Sequence, residues 1–467
     1  MESAIKVHSN SEHLIKCKEN KRITIISLFV IFPILLLINI DFTSIYILIP
    51  PIAKNFNLTT AQSSWLVTLY LLFFGVPTII SGRLGDIYGQ RPLLYCGLSL
   101  FALSSLLCGL THNYGQLLIA RSLQGLSAAL MWPNITVIGF NLFPKSKKNM
   151  GIAIVVSAIG FGMALGPIFG GMITSYFGWR WVFFMNIPLS IVIGFFLLAL
   201  VGDCAKIKSP SISFLGPALL ILALGSFILG LNQLPTQSNL YAYSICFIII
   251  SLILGAIFLF IERKATRPIL SRKIRNNRLF WHGCALRIVS VTPFYIVLFV
   301  ISALLENNFR LNPFKTGLLF LPLTATMGIC SLINSKISRV ICPRLMLTTS
   351  AVSYIAGFII LLTLIPTSQY WLISLTLAFI GLGFSFASSA ALSIGIHSVP
   401  IKMQGAATGV FYTASMTTGL ITIAASSYVL SYFDSGLNVS DAAFHLIMTG
   451  GVVFSLILMG LSLKRIQ

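Results

Sequence analysis

The sequence has little charge, and acidic residues are especially scarce. Only 9% of its 467 residues are charged, and Asp and Glu together number 10. A soluble domain of average composition carries roughly 25% charged residues. So few charges cannot cover the surface of a soluble enzyme, a nucleic-acid-binding module or a disordered chain, whereas 57% of this chain is hydrophobic. The composition therefore indicates a membrane protein with many spans.

Patterns that bind metals, cofactors or nucleic acids are also missing. The eight cysteines form no C-x-x-C pair, and the chain has no phosphate-binding loop, metal-ligand spacing or nucleophile–base pair. We therefore expect no disulfide framework, no metal, no cofactor and no enzymatic activity. The net charge of +21 comes from cations in short loops between apolar runs, so we expect no nucleic-acid partner.

Apolar runs long enough to span a bilayer are abundant. A membrane-spanning helix needs about 20 mostly apolar residues, and such a run must be helical because its backbone finds no other partners in hydrocarbon. The sequence therefore predicts an all-α integral membrane protein of fourteen spans. These are 23–49, 62–82, 92–110, 114–140, 150–174, 181–201, 213–231, 240–261, 281–304, 314–335, 345–365, 371–395, 405–430 and 441–463.

The positive charges predict the orientation of these spans. With the N-terminus in the cytoplasm, the inside segments hold 25 of the 31 Lys and Arg residues. Cytoplasmic loops of membrane proteins carry this excess. The first apolar run exceeds a signal-peptide core, so we expect it to be retained. Both termini are therefore predicted to be cytoplasmic.

The chain divides into five predicted segments, two of which are similar in organisation. Residues 82–91 follow the second span and 335–344 follow the tenth, and they align without gaps. Such a weak duplication is common in transporters. The segments are a cytoplasmic tail at 1–22, a six-helix bundle at 23–201, an inserted helix pair and cytoplasmic linker at 202–280, a second six-helix bundle at 281–463 and a tail at 464–467.

Asp41 is the acidic residue that lies well within a predicted span. An unpaired carboxylate is costly there, so it must find a partner or bind a proton. Asp41 lies eight residues before the end of the first span, and Arg121 lies seven residues after the start of the fourth. Both are therefore on the order of 10 Å below the outer surface. We predict that they meet and couple proton binding to ligand binding; alternatively, Asp41 is only a structural partner.

Two glycine-containing segments are candidates for conformational change. Residues 82–91 are predicted to form a tight cytoplasmic turn, in which Asp86 accepts hydrogen bonds from a helix N-terminus or from Arg91; the alternative is an ordinary charged turn. The candidate gating residues are Gly82, Asp86, Gly89 and Arg91. The glycines of the fifth span indicate either a bending interface between the halves or simple close packing. Its candidate residues are Gly166, Pro167, Gly170 and Gly171.

Polar and aromatic residues of the second and fourth spans are candidates for a substrate cavity. The alternative is that the aromatic side chains face lipid or the core. Arg287, under two turns into the ninth span, is expected to extend to the cytoplasmic surface. The candidate cavity residues are Gln62, Trp65, Tyr70, Gln124, Trp132 and Asn134.

Taken in order, these motifs resemble those of the 14-spanner drug/proton antiporter family of the major facilitator superfamily. Two positions depart from the family pattern: Gln90 replaces a basic residue, and Tyr46 replaces an asparagine. The matching residues are Asp41-x-Thr43 with Pro50; Gly82, Leu84, Asp86, Gly89 and Arg91; Arg121, Gln124 and Gly125; Gly166-Pro167-x-x-Gly170-Gly171; and Gly178-Trp179-Arg180-Trp181 with Asn186 and Pro188.

The resemblance implies the fold of that superfamily, with two six-helix bundles plus two extra central helices. It also implies alternating access, with Arg121 near the proton site, residues 82–91 latching the inward-closed arrangement and the fifth span favouring antiport. We therefore expect a multidrug efflux antiporter in a bacterial inner membrane, driven by the proton gradient. Its expected partners are small amphipathic substrates, protons and the lipid bilayer. The sequence leaves open whether it also needs a periplasmic adaptor.

Two other functions remain as alternatives. One is an exporter dedicated to a single metabolite, such as a siderophore. The other is a non-transporting membrane sensor or scaffold, which the lack of a large soluble domain disfavours.

Because no second acid is evident within a span of the second half, we expect a single coupling carboxylate and neutral or monocationic substrates.

Overall fold

The part of the protein that the structure, a computed structural model, describes is almost entirely helical. The described residues are 25–143, 148–200, 215–233, 241–264, 272–337, 341–364, 370–399, 404–433 and 438–463. Within them, fourteen long helices correspond to the fourteen predicted spans, so the all-α fold class is confirmed.

The fourteen helices are numbered in chain order. In two of them a π-helical turn is continuous with the α-helix: Ser27–Ile31 begins α1 and Leu304–Asn308 ends α9. The tenth helix has two segments separated at Phe320. The bounds are α1 Ser27–Phe56, α2 Thr60–Tyr88, α3 Gln90–Leu110, α4 Tyr114–Asn141, α5 Lys148–Phe177, α6 Arg180–Leu200, α7 Leu215–Gln233, α8 Tyr241–Lys264, α9 Arg278–Asn308, α10 Pro313–Leu319 with Leu321–Ile337, α11 Pro343–Leu364, α12 Tyr370–His397, α13 Gln404–Phe433 and α14 Asp441–Leu463.

Most of these helices have the composition of membrane spans. Among the described residues, eleven are long and apolar enough to cross a membrane. The other three are α4, which carries Arg121 and Gln124, the divided α10, and α7, whose apolar part is short. The protein is therefore a multi-pass membrane protein.

The helices form two halves with the same pairing pattern. In the first half α1 packs against α5, α2 against α4, and α3 against both α4 and α6. In the second half α9 packs against α13, α10 against α12, and α11 against both α12 and α14. This repeated arrangement is what a duplicated six-helix unit produces.

The inserted pair, α7 and α8, lies at the edge of the two halves. Helix α7 contacts α2 and α13, whereas α8 packs mainly against α7 and is exposed along most of its length. Its exposed side chains are apolar, for example Leu252 and Phe260. Such a surface is expected where lipid rather than water is the surrounding solvent.

Helices α2 and α13 join the halves along much of their length. Ser427 donates its hydroxyl to the Thr60 carbonyl at 3.3 Å, and Thr413 donates to the Gly75 carbonyl at 2.7 Å. Thr60 begins α2, at the end of the bundle that the loop charges predict to face outside, which we call the outer end. The two halves are therefore in contact at the outer end.

The reversal between α2 and α3 is shorter than predicted. Helix α2 continues through Gly82 and Asp86 to Tyr88, and α3 begins at Gln90. Only Gly89, with φ 93°, leaves the helical conformation. The prediction of a turn over 82–91 is therefore wrong in extent, because once a helix has formed, each added residue gains a hydrogen bond and the helix continues until a residue departs from it.

Candidate functional site

Asp41 lies in a buried polar cluster where four helices meet. Arg121 Nη1 is 3.1 Å from Asp41 Oδ2, while Gln124 Nε2 and Asn186 Nδ2 donate to Asp41 Oδ1 at 2.9 and 3.1 Å. Both amides also donate to Ser105 Oγ. Because Asp41 is 2% exposed and Arg121 is fully buried, their charges are balanced by each other and by these amides rather than by water.

Helix α2 holds the Arg121 side chain in this cluster. Arg121 Nε donates to the Leu66 carbonyl at 3.3 Å, and the Tyr70 ring centroid is 4.4 Å from the guanidinium carbon. On its own helix, Arg121 Nη1 also donates to Gln124 Oε1 at 2.6 Å, a contact that the three-residue spacing permits. Nη2 is buried, and no described residue accepts a hydrogen bond from it.

The structure thus brings together Asp41 and Arg121, the pair whose depths match in the sequence. It adds three residues to them. In the sequence, Asn186 is singled out only by the family resemblance, and Gln124 is a candidate for the substrate cavity. No sequence pattern singles out Ser105. A search for polar residues at matching depth on neighbouring spans would have found all three. The coupling role of Asp41 and Arg121 stays a prediction.

A separate cavity of about 140 Å³ lies between the two halves. Helices α1, α2, α4 and α5 line it from one side, and α9, α10, α12 and α13 line it from the other. Among the described residues of its lining, Arg287 is the one with a charged side chain. Its aromatic walls are formed by Phe42, Phe74, Trp132, Phe294, Tyr295, Phe384, Phe411 and Tyr412.

Trp132 is the candidate cavity residue that lines this cavity. The others, on α2 and α4, lie elsewhere in the first half because those helices direct polar side chains toward each other and toward their ends. Gln62 is in the cap of α2, Trp65 is half-buried near it, Tyr70 and Gln124 belong to the Asp41 cluster, and Asn134 donates to Ser81 Oγ at 3.1 Å.

Arg287 does not extend to the cytoplasmic surface as predicted. Its Nε donates to Ser415 Oγ at 3.2 Å, and its Nη1 donates to Ser388 Oγ. Its guanidinium carbon lies 5.4 and 5.7 Å from the ring centroids of Phe384 and Phe411. These hydroxyls and ring faces provide a polar environment inside the protein, so the side chain turns into the cavity.

Glu306 is an acidic residue in the last turn of a membrane-spanning helix. The π-helical turn Leu304–Asn308 extends α9 beyond the predicted end of the ninth span, and Glu306 lies in this turn. Its Oε1 is buried and has no hydrogen-bond partner among the described residues. The ninth helix is therefore longer than the predicted span 281–304, which ends two residues before Glu306, and the expectation of a single coupling carboxylate stays a prediction.

Residues of the segment 82–91 contribute to packing and to charge. Gly85, which is not one of the four gating candidates, packs so closely on α4 that a Cβ there would overlap Asn134 Oδ1. Arg91 Nη2 donates to the Leu198 carbonyl at 3.1 Å, at the C-terminal end of α6, where a cation complements the helix dipole. The side chain of Asp86 lies outside the described part of the chain, so its predicted bonds and the gating role of this segment stay predictions.

The small residues of α5 lie on two faces with different partners. Gly166 and Gly170 face α1, and an added Cβ would overlap Thr43 at the first position and approach Ser44 at the second. Gly171 faces the start of α10 in the other half, and the Pro167 carbonyl packs against α10 as well. This segment therefore combines close packing within one half with the contact between halves.

The chain matches a protein family and several known proteins. The family model described as Major Facilitator Superfamily matches residues 31–423. The chain is 27% identical over 385 residues to the tetracenomycin C resistance and export protein of Streptomyces glaucescens, which covers 82% of this chain and 72% of that protein. It is 26% identical over 335 residues to multidrug resistance protein 3 of Bacillus subtilis, and the alignment covers 71% of this chain and 65% of that protein. It is 27% identical over 358 residues to the riboflavin transporter RibZ of Clostridioides difficile, and the alignment covers 76% of this chain and 77% of that protein.

Proposed function

Because the chain belongs to the Major Facilitator Superfamily, a family of membrane transporters, we propose that it exports small amphipathic compounds in exchange for protons. This agrees with the resemblance inferred from the motifs. Members of the superfamily are in general carriers rather than enzymes. The proposal includes a location in a bacterial inner membrane with both termini in the cytoplasm, which the loop charges and the bacterial relatives support.

The observation that carries the proposal is the buried contact between Asp41 and Arg121. Arginine keeps its charge at all physiological pH values, so protonation of Asp41 leaves a cation without its counter-ion. The cluster therefore has two states: ionised Asp41 balances the charge of Arg121, and protonated Asp41 does not. A conformation of the transporter that is more stable with one of these states becomes favoured when that state forms. A proton can in this way bias the transporter toward one side of its cycle.

An aromatic series connects this pair to the cavity between the halves. Tyr70 packs on the Arg121 guanidinium, and its ring centroid is 6.3 Å from that of Phe42. Phe42, next to Asp41 in sequence, lines the cavity and lies 6.2 Å from Tyr295 of the other half. These contacts are contiguous from Asp41 to the substrate cavity and the second half, and we expect a rearrangement at Asp41 to be transmitted along them.

The contacts between the halves support alternating access. Helices α2 and α13 and helices α5 and α10 meet at the outer end, so opening toward the outside requires these contacts to separate. The cavity, at about 140 Å³, is below the range of about 300–1,000 Å³ that is typical of ligand pockets. We therefore expect the halves to rock apart when substrate is loaded.

The proton gradient supplies enough energy for drug efflux. One proton moving down 100 mV releases about 2.3 kcal/mol, which supports roughly fifty-fold accumulation of a neutral substrate by voltage alone. The names of two relatives, multidrug resistance protein 3 and the tetracenomycin C resistance and export protein, favour export. A carrier dedicated to one metabolite is the second candidate, favoured by the similarity to the riboflavin transporter.

The test is proton flux in liposomes that contain the purified full-length protein. We expect external substrate to cause counter-movement of protons, measured with a pH-sensitive dye, for several members of a chemically varied panel. Asp41→Asn should abolish this flux, whereas Asp441→Asn, a control at the exposed start of α14, should retain it. Identical proton flux with and without every solute would contradict the proposal, and a response to one metabolite alone would favour the second candidate.

A further inference from the structure

Arg287 is a cation that lines the cavity between the two halves and lies outside the Asp41 cluster. It lies on α9 in the second half, and the two hydrogen bonds that it donates go to the neutral hydroxyls of Ser388 and Ser415. Its third nitrogen, Nη2, has no acceptor among the described residues. The guanidinium is therefore positioned by the protein while part of its donor capacity remains for a ligand.

The acidic residues of the described chain all lie elsewhere. Asp41 is bonded to Arg121, Glu306 and Asp441 lie at the outer end, and Glu262 lies at the end of α8. Among the described side chains, no carboxylate therefore pairs with Arg287. The side chain of Asp86 and the remaining acids fall outside the described residues.

A buried cation without an anionic partner is energetically unfavourable. Hydroxyl groups and aromatic faces compensate only part of the lost hydration, and arginine cannot relieve the cost by losing its proton. An anion that enters the cavity restores the charge balance and gains charge-assisted hydrogen bonds, whereas a cation adds repulsion. The cavity is therefore electrostatically suited to anions.

We propose that Arg287 binds an anionic group of the exported substrate, such as a carboxylate, sulfonate or phenolate attached to an aromatic body. The proposal rests on the proposed export function and names the substrate class of its cavity. Aromatic pairs supply the flat walls: the ring centroids of Phe294 and Phe384 are 4.4 Å apart, and those of Trp132 and Tyr412 are 5.4 Å apart. The substrate class thus differs from the neutral or monocationic compounds expected from the sequence.

The proposal also changes the charge that moves in each cycle. An anion that leaves while a proton enters transfers two elementary charges in the same electrical direction, whereas exchange of a monocation for a proton transfers none. Export of the anion is therefore accelerated by an interior-negative potential. Exchange of a monocation for a proton has no such dependence.

Equilibrium binding to the purified full-length protein tests the inference without a proton gradient. The probes are 2-naphthoate, its methyl ester and 2-naphthylmethylammonium, which share one aromatic body and differ in charge. We expect the wild-type protein to bind 2-naphthoate most tightly in equilibrium dialysis. Arg287→Gln should weaken that binding by about 10- to 100-fold, the range of a lost charged hydrogen bond, and Arg287→Lys should restore part of it.

A matched control separates Arg287 from the general excess of positive charge. Arg263→Gln makes the same change at an exposed position near the end of α8 and should leave 2-naphthoate binding unchanged. Thermal unfolding and size-exclusion chromatography show whether each variant folds. If Arg287→Gln does not fold, the preference of the wild-type protein among the three probes decides.

Three results would overturn the inference: failure of the wild-type protein to bind 2-naphthoate, tighter binding of the ammonium probe, or equal 2-naphthoate affinity in wild type and folded Arg287→Gln. The proposed function fails separately. A protein that binds anions through Arg287 but shows no proton flux retains this inference and loses proton coupling. A proton-coupled exporter that prefers the ammonium probe shows the reverse.

Discussion

Arg121 and Arg287 are both buried within membrane helices, but their charges are balanced in different ways. Arg121 has Asp41 at 3.1 Å and the amide oxygen of Gln124 at 2.6 Å. Arg287 has two hydroxyls and two aromatic rings among the described residues. The first arginine therefore has a proton-sensitive partner within the protein, whereas the second depends on what enters the cavity.

The coupling between Asp41 and Arg121 can be measured with a double-mutant cycle. Removing one partner of a buried ion pair leaves an uncompensated charge and typically costs about 3–5 kcal/mol. We expect Asp41→Asn and Arg121→Gln each to destabilise the protein by about this amount, and the double variant to lose much less than the sum. The measurement is reversible unfolding in detergent. Additive losses would mean that the contact contributes no coupling energy.

At the scale of helices, small residues determine how closely neighbours approach. Gly85 touches Asn134 on α4, and Gly317 of α10 touches the Pro167 carbonyl on α5. The first contact lies within one half and the second joins the two halves. Substitutions at these positions therefore separate effects on folding from effects on the transport cycle.

Gly85 is expected to be required for packing within the first half. A Cβ at Gly85 would overlap Asn134 Oδ1, whereas a Cβ at Gly82 would lie 3.8 Å from Pro133 Cβ, an ordinary contact. Gly85→Ala should therefore lower thermal stability and transport together, and Gly82→Ala should leave thermal stability near wild type. Thermal unfolding and liposome transport measure the two effects. If both variants behave alike, the overlap with Asn134 does not determine the role of this segment.

Gly317 is expected to control closure of the outer end. A Cβ there would overlap the Pro167 carbonyl and hold α5 away from α10. Gly317→Ala should slow transport and increase labelling of a cysteine at Met327, which lines the cavity, by an impermeant thiol reagent from outside. Gly328→Ala is the control, because open space surrounds it. Unchanged labelling in Gly317→Ala would show that the contact does not close the cavity.

At the scale of the whole molecule, the sequence predicts what depends on depth and fails where rotation about a helix axis matters. Fourteen helices follow from apolar run length, because a backbone in hydrocarbon must satisfy its own hydrogen bonds. The Asp41–Arg121 contact follows from the constant rise per residue. The orientation of Arg287 and Trp65 does not, because apolar residues face both lipid and neighbouring helices, so composition does not reveal which face meets the cavity.

Rocking of the two halves as rigid bodies can be tested with a disulfide across the outer end. Ser427 Oγ lies 3.3 Å from the Thr60 carbonyl across the outer end, so Thr60→Cys with Ser427→Cys in a cysteine-free background should form a disulfide that joins the halves. Because the outer end must open to release substrate, oxidation should arrest transport and reduction should restore it.

A control pair joins two elements of one half at the same end of the molecule. Asn308 and Val439 exchange two hydrogen bonds of 2.7 and 2.8 Å, between the end of α9 and the residues before α14. Cysteines at these positions should cross-link without arresting transport, because α9 and α14 move together in a rocking half. If the oxidised Thr60→Cys, Ser427→Cys protein transports as fast as its reduced form, the outer end need not open and the two halves do not rock about the cavity.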